Sequence, residues 1–222
     1  MPARSRDRGK RLLYRVAHAI VLTPFKLIFP VRVHGREKVP RRGAFVVAPS
    51  HRSLMDIFFT CYVTRRRIRF MAKQELFANR FVAWLFTTLG GFPVERGSVD
   101  RAALRSARAA LEAGEPVAIF PEGTRNAGPE IGELFDGGAY LAARLHVPVL
   151  PVAIGGSEEI LPSGGSRPRV HRVAIVVGDP ILPPRHHGRV RRQEVTQMTE
   201  QLRIELQKRF DEALALAGAG RR

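Results

Sequence analysis

The sequence predicts a single α/β domain with a mostly parallel β-sheet flanked by helices, preceded by an N-terminal helical segment. Short apolar runs typical of buried strands alternate with helix-like stretches along most of the 222 residues, and this alternation is typical of parallel sheets with helical crossovers. A chain of this length can bury one large core, and no long linker or composition shift divides it. We therefore expect residues 1–30 to form the helical segment and 31–222 to form the domain.

Apolar periodicity locates the individual elements. The predicted strands are 31–33, 44–48, 68–72, 92–94, 117–120, 147–154 and 173–177. Helices are predicted over 57–63, 75–89, 100–113 and 138–145. The last helix is indicated by apolar residues three and four positions apart, which predict a core-facing stripe: Val195, Met198, Leu202, Leu206, Phe210 and Leu214.

The chain carries a formal net charge of +17, which calls for a polyanionic partner or surface, either nucleic acid or an anionic membrane. The single cysteine, Cys61, excludes an internal disulfide and a thiolate metal cluster, and it is consistent with a reducing compartment. The seven histidines show no metal-ligand spacing with carboxylates or cysteine, so we expect no bound metal.

The N-terminal segment is basic and then strongly apolar. An uncharged run of ten residues lies between Arg15 and Lys26, and it is too short to cross a bilayer, which needs about 20 apolar residues. Pro24 is expected to divide the segment into two short helices. These features predict a segment lying in the interface of an anionic membrane; the alternative is a helix packed on the domain's own core.

A candidate catalytic pair lies at a predicted strand-to-helix corner. His51 follows the strand 44–48, and Asp56 begins the next helix. Histidine is suited to removing a proton near neutral pH, and a carboxylate on its second nitrogen would fix its tautomer. Five positions within one helix would place the two side chains about 140° apart, so we expect His51 to lie before the helix with its ring folded onto Asp56. The alternative is a loop histidine and an aspartate favoured by the helix dipole.

Two more polar stretches end predicted strands. One is Phe120-Pro121-Glu122-Gly123-Thr124-Arg125, which combines a flexible glycine, a hydroxyl and a guanidinium fork that matches phosphate oxygens. The other ends with Arg96. If the sheet is parallel, both stretches and His51 lie near the carboxyl ends of strands, where open α/β sheets bind ligands. Each stretch taken alone could equally be an ordinary surface turn.

Four blocks in this order resemble the glycerolipid acyltransferases of the 1-acyl-glycerol-3-phosphate acyltransferase type. They are His51-x-x-x-x-Asp56, Gly90-x-Phe92-x-x-x-Arg96, Phe120-Pro121-Glu122-Gly123-Thr124-Arg125 and Val147-Pro148-Val149-Leu150-Pro151-Val152. The basic, apolar N-terminal segment also looks like that family's two-helix membrane-docking motif. The resemblance therefore covers most of the chain.

The resemblance implies transfer of a fatty acyl group from acyl-CoA or acyl-carrier protein to the hydroxyl of a lysophospholipid, in phospholipid biosynthesis. His51 would be the general base and Asp56 its orienting carboxylate. Arg96 and Glu122, Gly123, Thr124 and Arg125 would hold the acceptor's phosphate and polar head, while Pro151 would shape the pocket. No cofactor is implied beyond the acyl thioester. The expected location is the cytoplasmic face of the cell membrane, as a peripheral or monotopic protein.

One residue departs from the family pattern. Many relatives carry a Phe-Lys pair before a Gly-Ala, whereas this chain has Phe135-Asp136-Gly137-Gly138-Ala139. An anion in place of a cation should weaken binding of a simple phosphate headgroup. A lysophospholipid with a larger head, such as a lysophosphatidylinositol-type or glycolipid acceptor, therefore remains an alternative. Independently of Asp136, acylation of glycerol-3-phosphate itself is a further alternative within the enzyme class.

A competing hypothesis from another class is a non-catalytic basic protein that binds nucleic acid or an anionic membrane. It would explain the net charge, including the basic run 185–192, but it would not explain the four ordered blocks. No RNA-recognition or zinc-finger signature is present. We therefore expect no nucleic-acid partner.

Overall fold

The computed structural model describes residues 3–94, 101–161, 167–184 and 189–219. Its centre is a seven-stranded sheet in the order β1-β7-β6-β2-β5-β3-β4. The strands are β1 (Val31–His34), β2 (Val46–Pro49), β3 (Arg69–Lys73), β4 (Gly91–Val94), β5 (Val117–Ala118), β6 (Val149–Gly155) and β7 (Val173–Val177).

Helices cover both faces of the sheet. They are α1 (Ala3–Ile28), α2 (Asp56–Thr60), α3 (Arg80–Leu89), α4 (Arg101–Glu112), α5 (Gly137–Leu145), α6 (Ser157–Ile160) and α7 (Arg192–Ala217), together with short 3-10 turns at Arg36–Lys38 and Gln74–Phe77. The single α/β domain and its mostly parallel sheet confirm the predicted fold class.

Strands β2 to β6 run parallel to one another. Strand β7 runs antiparallel to β6, with Ile154 opposite Ile175, and it pairs parallel with β1. The parallel part follows from helical crossovers such as α5, which returns the chain from β5 to β6. As a result, the loops that follow β2 and β5 emerge at the same edge of the sheet.

The core has two layers, one on each face of the sheet. One layer includes the buried stripe of α7, namely Val195, Met198, Leu202, Leu206 and Phe210. The other contains Phe45, Phe70 and Phe59 of α2, with apolar residues of α1 and α3 packed against them. Because both faces of the central strands are buried, those strands appear in the sequence as continuous apolar runs rather than alternating ones.

Two predicted helical segments differ from the structure. The N-terminal segment is one helix of 26 residues with Pro24 inside it, so the prediction of two short helices was wrong: proline removes one backbone hydrogen bond, and the bonds of the adjacent turns remain. The predicted helix 75–89 is instead a 3-10 turn followed by α3. Asn79 separates them because its side chain accepts from Phe81 N and Val82 N at 2.9 and 3.2 Å, which starts a new helix.

None of the described helices combines the length and the apolar content needed to cross a membrane.

Candidate active site

The candidate catalytic corner is the turn between β2 and α2. Ser50 anchors it, because its backbone N–H donates to Val152 and its hydroxyl accepts from Ile154 N at 2.9 Å. His51 follows directly, and its Nδ1 lies 3.1 Å from Asp56 Oδ2. The ring therefore folds back onto the first residue of α2, as the spacing predicts. A contact at Nδ1 leaves Nε2 as the nitrogen that can face a substrate.

Asp56 is fully buried, and its Oδ2 also holds the turn together. The same oxygen accepts from the backbone N–H groups of Arg52 and Ser53 at 2.6 and 2.7 Å. Three donors on one oxygen fix the orientation of the carboxylate before any substrate binds. The Asp56 carboxylate is thus both the partner of the imidazole and the cap of the turn that carries it.

The ring of His51 is enclosed on one side by Phe120, with centroids 4.2 Å apart, and the residue is only 8% exposed. Phe120 is the first residue of the polar block that follows β5. The aromatic contact therefore joins the two predicted polar stretches into one site.

Sequence analysis missed Arg52, the residue between the two catalytic candidates. Its guanidinium is buried, 2.8 Å from Glu122 Oε2 and 4.6 Å from the centre of the Phe210 ring. It also donates to the carbonyl oxygens of Gly128 and Glu130 at 3.1 and 2.7 Å. The sequence does not show that Arg52 is buried, because its partners Glu122, Gly128 and Glu130 lie 70 or more positions away.

Glu122 is likewise buried, with both carboxylate oxygens occupied by protein donors. The oxygens accept from the guanidinium of Arg52, from His51 N at 3.0 Å and from Asn126 Nδ2 at 2.8 Å. The Arg52–Glu122 pair thus ties the His51 turn to the loop after β5. This saturation leaves little capacity for Glu122 to bind a substrate directly, the role that the resemblance implies for it.

The next three residues of the block face outward. Gly123 has φ +67°, and a Cβ there would lie 2.6 Å from the Phe135 ring, so the turn requires glycine. Thr124 is exposed and Arg125 is half-buried. Within the described part of the chain, the Arg125 guanidinium has no protein acceptor, which leaves it available to an anionic ligand.

The remaining predicted site residues make no described contact with His51 or lie outside the described ranges. Pro151 is buried inside β6, where it pairs with Ala48 of β2. Arg96 falls outside the described residues. Asp136, which stands where relatives have lysine, precedes α5, and its Oδ1 accepts a hydrogen bond from the Thr199 hydroxyl of α7 at 2.6 Å.

Glu158, in α6, is a titratable neighbour that the sequence did not indicate. Burial raises the pKa of its carboxyl, and the nearby charge of Asp56 raises it further. Glu158 therefore keeps its proton to a higher pH than an exposed glutamate does.

An α/β sheet with a His–Asp contact at the carboxyl end of a central strand is the arrangement expected of an enzyme that activates a hydroxyl group. The comparisons with known proteins are more specific. The chain belongs to the acyltransferase family, because the family model described as Acyltransferase matches residues 30–155, more than half of its length. That range includes His51, Asp56, Glu122 to Arg125, and Pro151. The chain is thus an enzyme of the acyltransferase class, which excludes the non-catalytic binding protein.

Individual relatives agree with this family. The 1-acyl-sn-glycerol-3-phosphate acyltransferase of Bacillus subtilis is 28% identical over 186 residues, which cover 82% of this chain and 90% of that protein. A 1-acyl-sn-glycerol-3-phosphate acyltransferase of Chlamydomonas reinhardtii is 32% identical over 162 residues, which cover 70% of this chain and 48% of that protein. The crystal structure of the 1-acyl-sn-glycerophosphate acyltransferase PlsC from Thermotoga maritima superposes with a TM-score of 0.77 and 26% identity, covering 96% of this chain and 83% of that one.

Proposed function

We propose that the protein transfers a fatty acyl group from an acyl thioester to the free hydroxyl of 1-acyl-glycerol-3-phosphate, with His51 as the general base. The observation that carries the proposal is the 3.1 Å contact between His51 Nδ1 and Asp56 Oδ2 in a chain of the acyltransferase family. The acceptor is supported by the relatives, which are 1-acyl-sn-glycerol-3-phosphate acyltransferases. Either acyl-CoA or acyl-carrier protein would supply the acyl group, and the reaction requires no cofactor or metal.

The reaction needs one proton relay and no covalent acyl-enzyme. Nε2 of His51 removes the proton of the acceptor hydroxyl as its oxygen attacks the thioester carbonyl carbon, and Asp56 stabilises the resulting imidazolium. The C–S bond then breaks, and the imidazolium returns the proton to the departing thiolate. The products are the new oxygen ester and a free thiol, and His51 is neutral again for the next turnover.

Binding of the acceptor's phosphate is best assigned to Arg125. Its guanidinium has no described protein acceptor, whereas the nearby Glu122 carboxylate is fully engaged. The hydrogen bond of Asp136 to Thr199 gives that residue a role in joining two helices, so it does not require a different headgroup. Glycerol-3-phosphate, lysophosphatidylinositol-type and glycolipid acceptors remain the alternatives to be compared.

The test is release of free thiol from a long-chain acyl-CoA and from acyl-carrier protein with each of these acceptors. We expect release to depend on 1-acyl-glycerol-3-phosphate and to fall about 100- to 10,000-fold in His51→Ala. Leu182→Ala, an exposed apolar position outside the candidate site, serves as the control and should retain full activity. Equal release from His51→Ala and the native chain would refute the proposed base.

We also propose that the protein binds the cytoplasmic face of the cell membrane through a surface formed by α1 and α3. Large apolar side chains are exposed there, among them Ile20 and Leu27 on α1 and Phe81 and Trp84 on α3. Aromatic rings with a polar edge favour the membrane interface, and the net charge of +17 favours anionic lipids. Acceptor and donor both carry acyl chains, so attachment to a bilayer brings the site to its substrates.

Co-sedimentation with vesicles containing an anionic phospholipid tests this surface. We expect Phe81→Ser combined with Trp84→Ser to reduce the bound fraction, and Ile204→Ser, at an exposed position on α7, to leave it unchanged. Deletion of residues 1–30 should cause a larger loss than the double substitution. Binding that is insensitive to both changes would disprove the proposed surface.

A further inference from the structure

A groove between α5 and the segment leading into α7 lies outside the catalytic corner. We call it the α5–α7 groove, and it has a volume of about 1090 Å³. One wall is a single face of α5, because Asp136, Tyr140 and Arg144 are four residues apart. The other wall contains Val190 and Val195 with the arginines that flank the start of α7.

The α5–α7 groove is strongly cationic. Four exposed guanidinium groups line it against one carboxylate, that of Asp136, which already accepts a hydrogen bond from Thr199. Among the described residues, no side-chain acceptor or backbone carbonyl binds the guanidinium groups of these four arginines: Arg144, Arg189, Arg191 and Arg192. The first turn of the 26-residue helix α7 lies in the same wall, and its backbone amides add to the positive potential.

The α5–α7 groove differs from another arginine-rich groove in that all four of its described guanidinium groups are free, whereas two of the arginines in the other groove hold the backbone. In the groove beside β1, Arg36 donates to Tyr62 O, and Arg66 donates to Pro40 O and Gly114 O at 3.2 and 2.8 Å. Those guanidinium groups hold neighbouring backbone segments in place. The arginines of the α5–α7 groove make no such contacts in the described structure, so their donors are available to a ligand.

The position of the groove limits which phosphate it can bind. At its inner end, Phe135, next to Asp136, donates its backbone N–H to Pro121 O at 2.8 Å, and Pro121 follows the ring that packs on His51. At its outer end, Arg192 lies eighteen residues before Phe210 on α7, or about 27 Å along the helix axis. Phe210 contacts Arg52, the neighbour of His51.

The distance from the catalytic corner to the outer arginines is too long for the acceptor's phosphate to bind them, and it suits the longer acyl-CoA donor. In 1-acyl-glycerol-3-phosphate the phosphate is attached to the carbon next to the reacting hydroxyl, so it cannot reach the outer arginines during transfer. In acyl-CoA the pantetheine arm and the pyrophosphate separate the thioester from the 3′-phosphate. A donor whose thioester lies at His51 can therefore extend its nucleotide along the groove.

The surface chemistry of the groove matches the same nucleotide. The ring of Tyr140 is 46% exposed and can stack on a purine, while Val190 and Val195 offer an apolar floor. A concave site of this size is typical of small-molecule ligands. Guanidinium forks bind phosphate oxygens in pairs.

We propose that the α5–α7 groove binds the adenosine 3′-phosphate and pyrophosphate of CoA, which makes acyl-CoA the donor. This assignment rests on the proposed acyl transfer. Its binding test is independent of catalysis, because it uses CoA without an acyl group and protein carrying His51→Ala. CoA binding that persists in His51→Ala therefore supports the groove whether or not His51 proves to be the base.

The experiment is calorimetric titration of CoA and of 3′-dephospho-CoA into three versions of the protein. These are the His51→Ala chain, the same chain with Arg191→Gln and Arg192→Gln, and the same chain with Arg41→Gln and Arg65→Gln. The last pair removes two exposed arginines from the groove beside β1, so it matches the change in net charge. We expect the first pair to weaken CoA binding roughly 10- to 100-fold and the control pair to have little effect.

Dephospho-CoA should bind more weakly than CoA to the parent chain, and this difference should shrink in Arg191→Gln/Arg192→Gln. Equal weakening by both pairs would show general attraction to a basic protein and would overturn the site. Steady-state kinetics on protein with His51 intact gives a second test. The proposed CoA site would also be overturned if Arg191→Gln/Arg192→Gln raised the KM for acyl-carrier protein or for the acceptor and left the KM for acyl-CoA unchanged.

Discussion

Arginine performs opposite roles in the catalytic corner and in the α5–α7 groove. Arg52 is buried and donates to the Glu122 carboxylate and to the carbonyl oxygens of His51, Gly128 and Glu130. The arginines of the groove are exposed, and their guanidinium groups have no described protein acceptor. A guanidinium whose donors are used within the protein gives shape to a site, and one whose donors are free can bind a ligand. Burial and partners, rather than residue type, therefore separate the structural Arg52 from the arginines that we propose bind a ligand.

The largest expected effect follows from removing Arg52. Arg52→Met would leave the Glu122 carboxylate buried beside apolar atoms without its cation, and loss of one partner of a buried pair costs about 3–5 kcal/mol. We expect the free energy of unfolding, measured by urea denaturation, to fall by that amount, and activity to fall with it.

Arg52→Met combined with Glu122→Gln provides the control for this effect. The double variant removes both charges, so it should be more stable than Arg52→Met alone. If Arg52→Met lowers the free energy of unfolding by less than about 1 kcal/mol, the Arg52–Glu122 pair behaves like a surface ion pair. The contrast between the arginine of the catalytic corner and those of the α5–α7 groove would then be wrong.

The next effect separates positioning of the base from binding of the acceptor. Glu122→Gln replaces an acceptor oxygen with an N–H₂ group that faces existing donors, so it should shift the His51 turn and lower kcat about 100-fold with little change in the acceptor KM. Arg125→Gln should raise the acceptor KM about tenfold and leave kcat closer to normal.

Steady-state kinetics with varied 1-acyl-glycerol-3-phosphate would measure both parameters. A Glu122→Gln enzyme with normal kcat and a raised acceptor KM would support direct substrate binding by Glu122, the role that the family resemblance implies.

The smallest expected effect concerns Glu158 and pH. Its pKa is raised above the ordinary 4.5, first by burial and then by the charge of Asp56, so the folded protein holds this proton more tightly than the unfolded chain. The resulting stabilisation is complete below about pH 4.5 and is lost as the pH rises through that value towards the raised pKa. Compared with the native chain at the same pH, Glu158→Gln should therefore be more stable at pH 7 than it is at pH 4, as measured by thermal unfolding of both proteins at both pH values. An equal difference at both would contradict the assigned shift.

Most of the fold was predictable because its signals are local. Continuous apolar runs marked the central strands, and the stripe from Val195 to Phe210 marked α7. The antiparallel pairing of β7 with β6 was not predictable, since both strands are buried on two faces and carry no alternation that reports direction. Pro24 was misread because a proline in a sequence does not show whether the helix around it continues.

The candidate site was predictable where its residues are close in sequence. The contact of His51 with Asp56 followed from their spacing and from a helix that starts at Asp56. The bond between Arg52 and Glu122 could not be found in this way, because 70 positions separate them. The assignment of Arg96 to the acceptor remains a prediction, since this residue lies outside the described ranges.

The contact between Arg52 and Phe210 also has a consequence for the order of events during synthesis. The catalytic corner becomes complete only after the chain has been made as far as the second half of α7. At roughly 5–20 residues per second, α1 is synthesised about 10 to 40 seconds before Phe210. The helix proposed to bind lipid is therefore available to a membrane while the enzyme is still without its finished site, so attachment can come before activity in the life of each molecule.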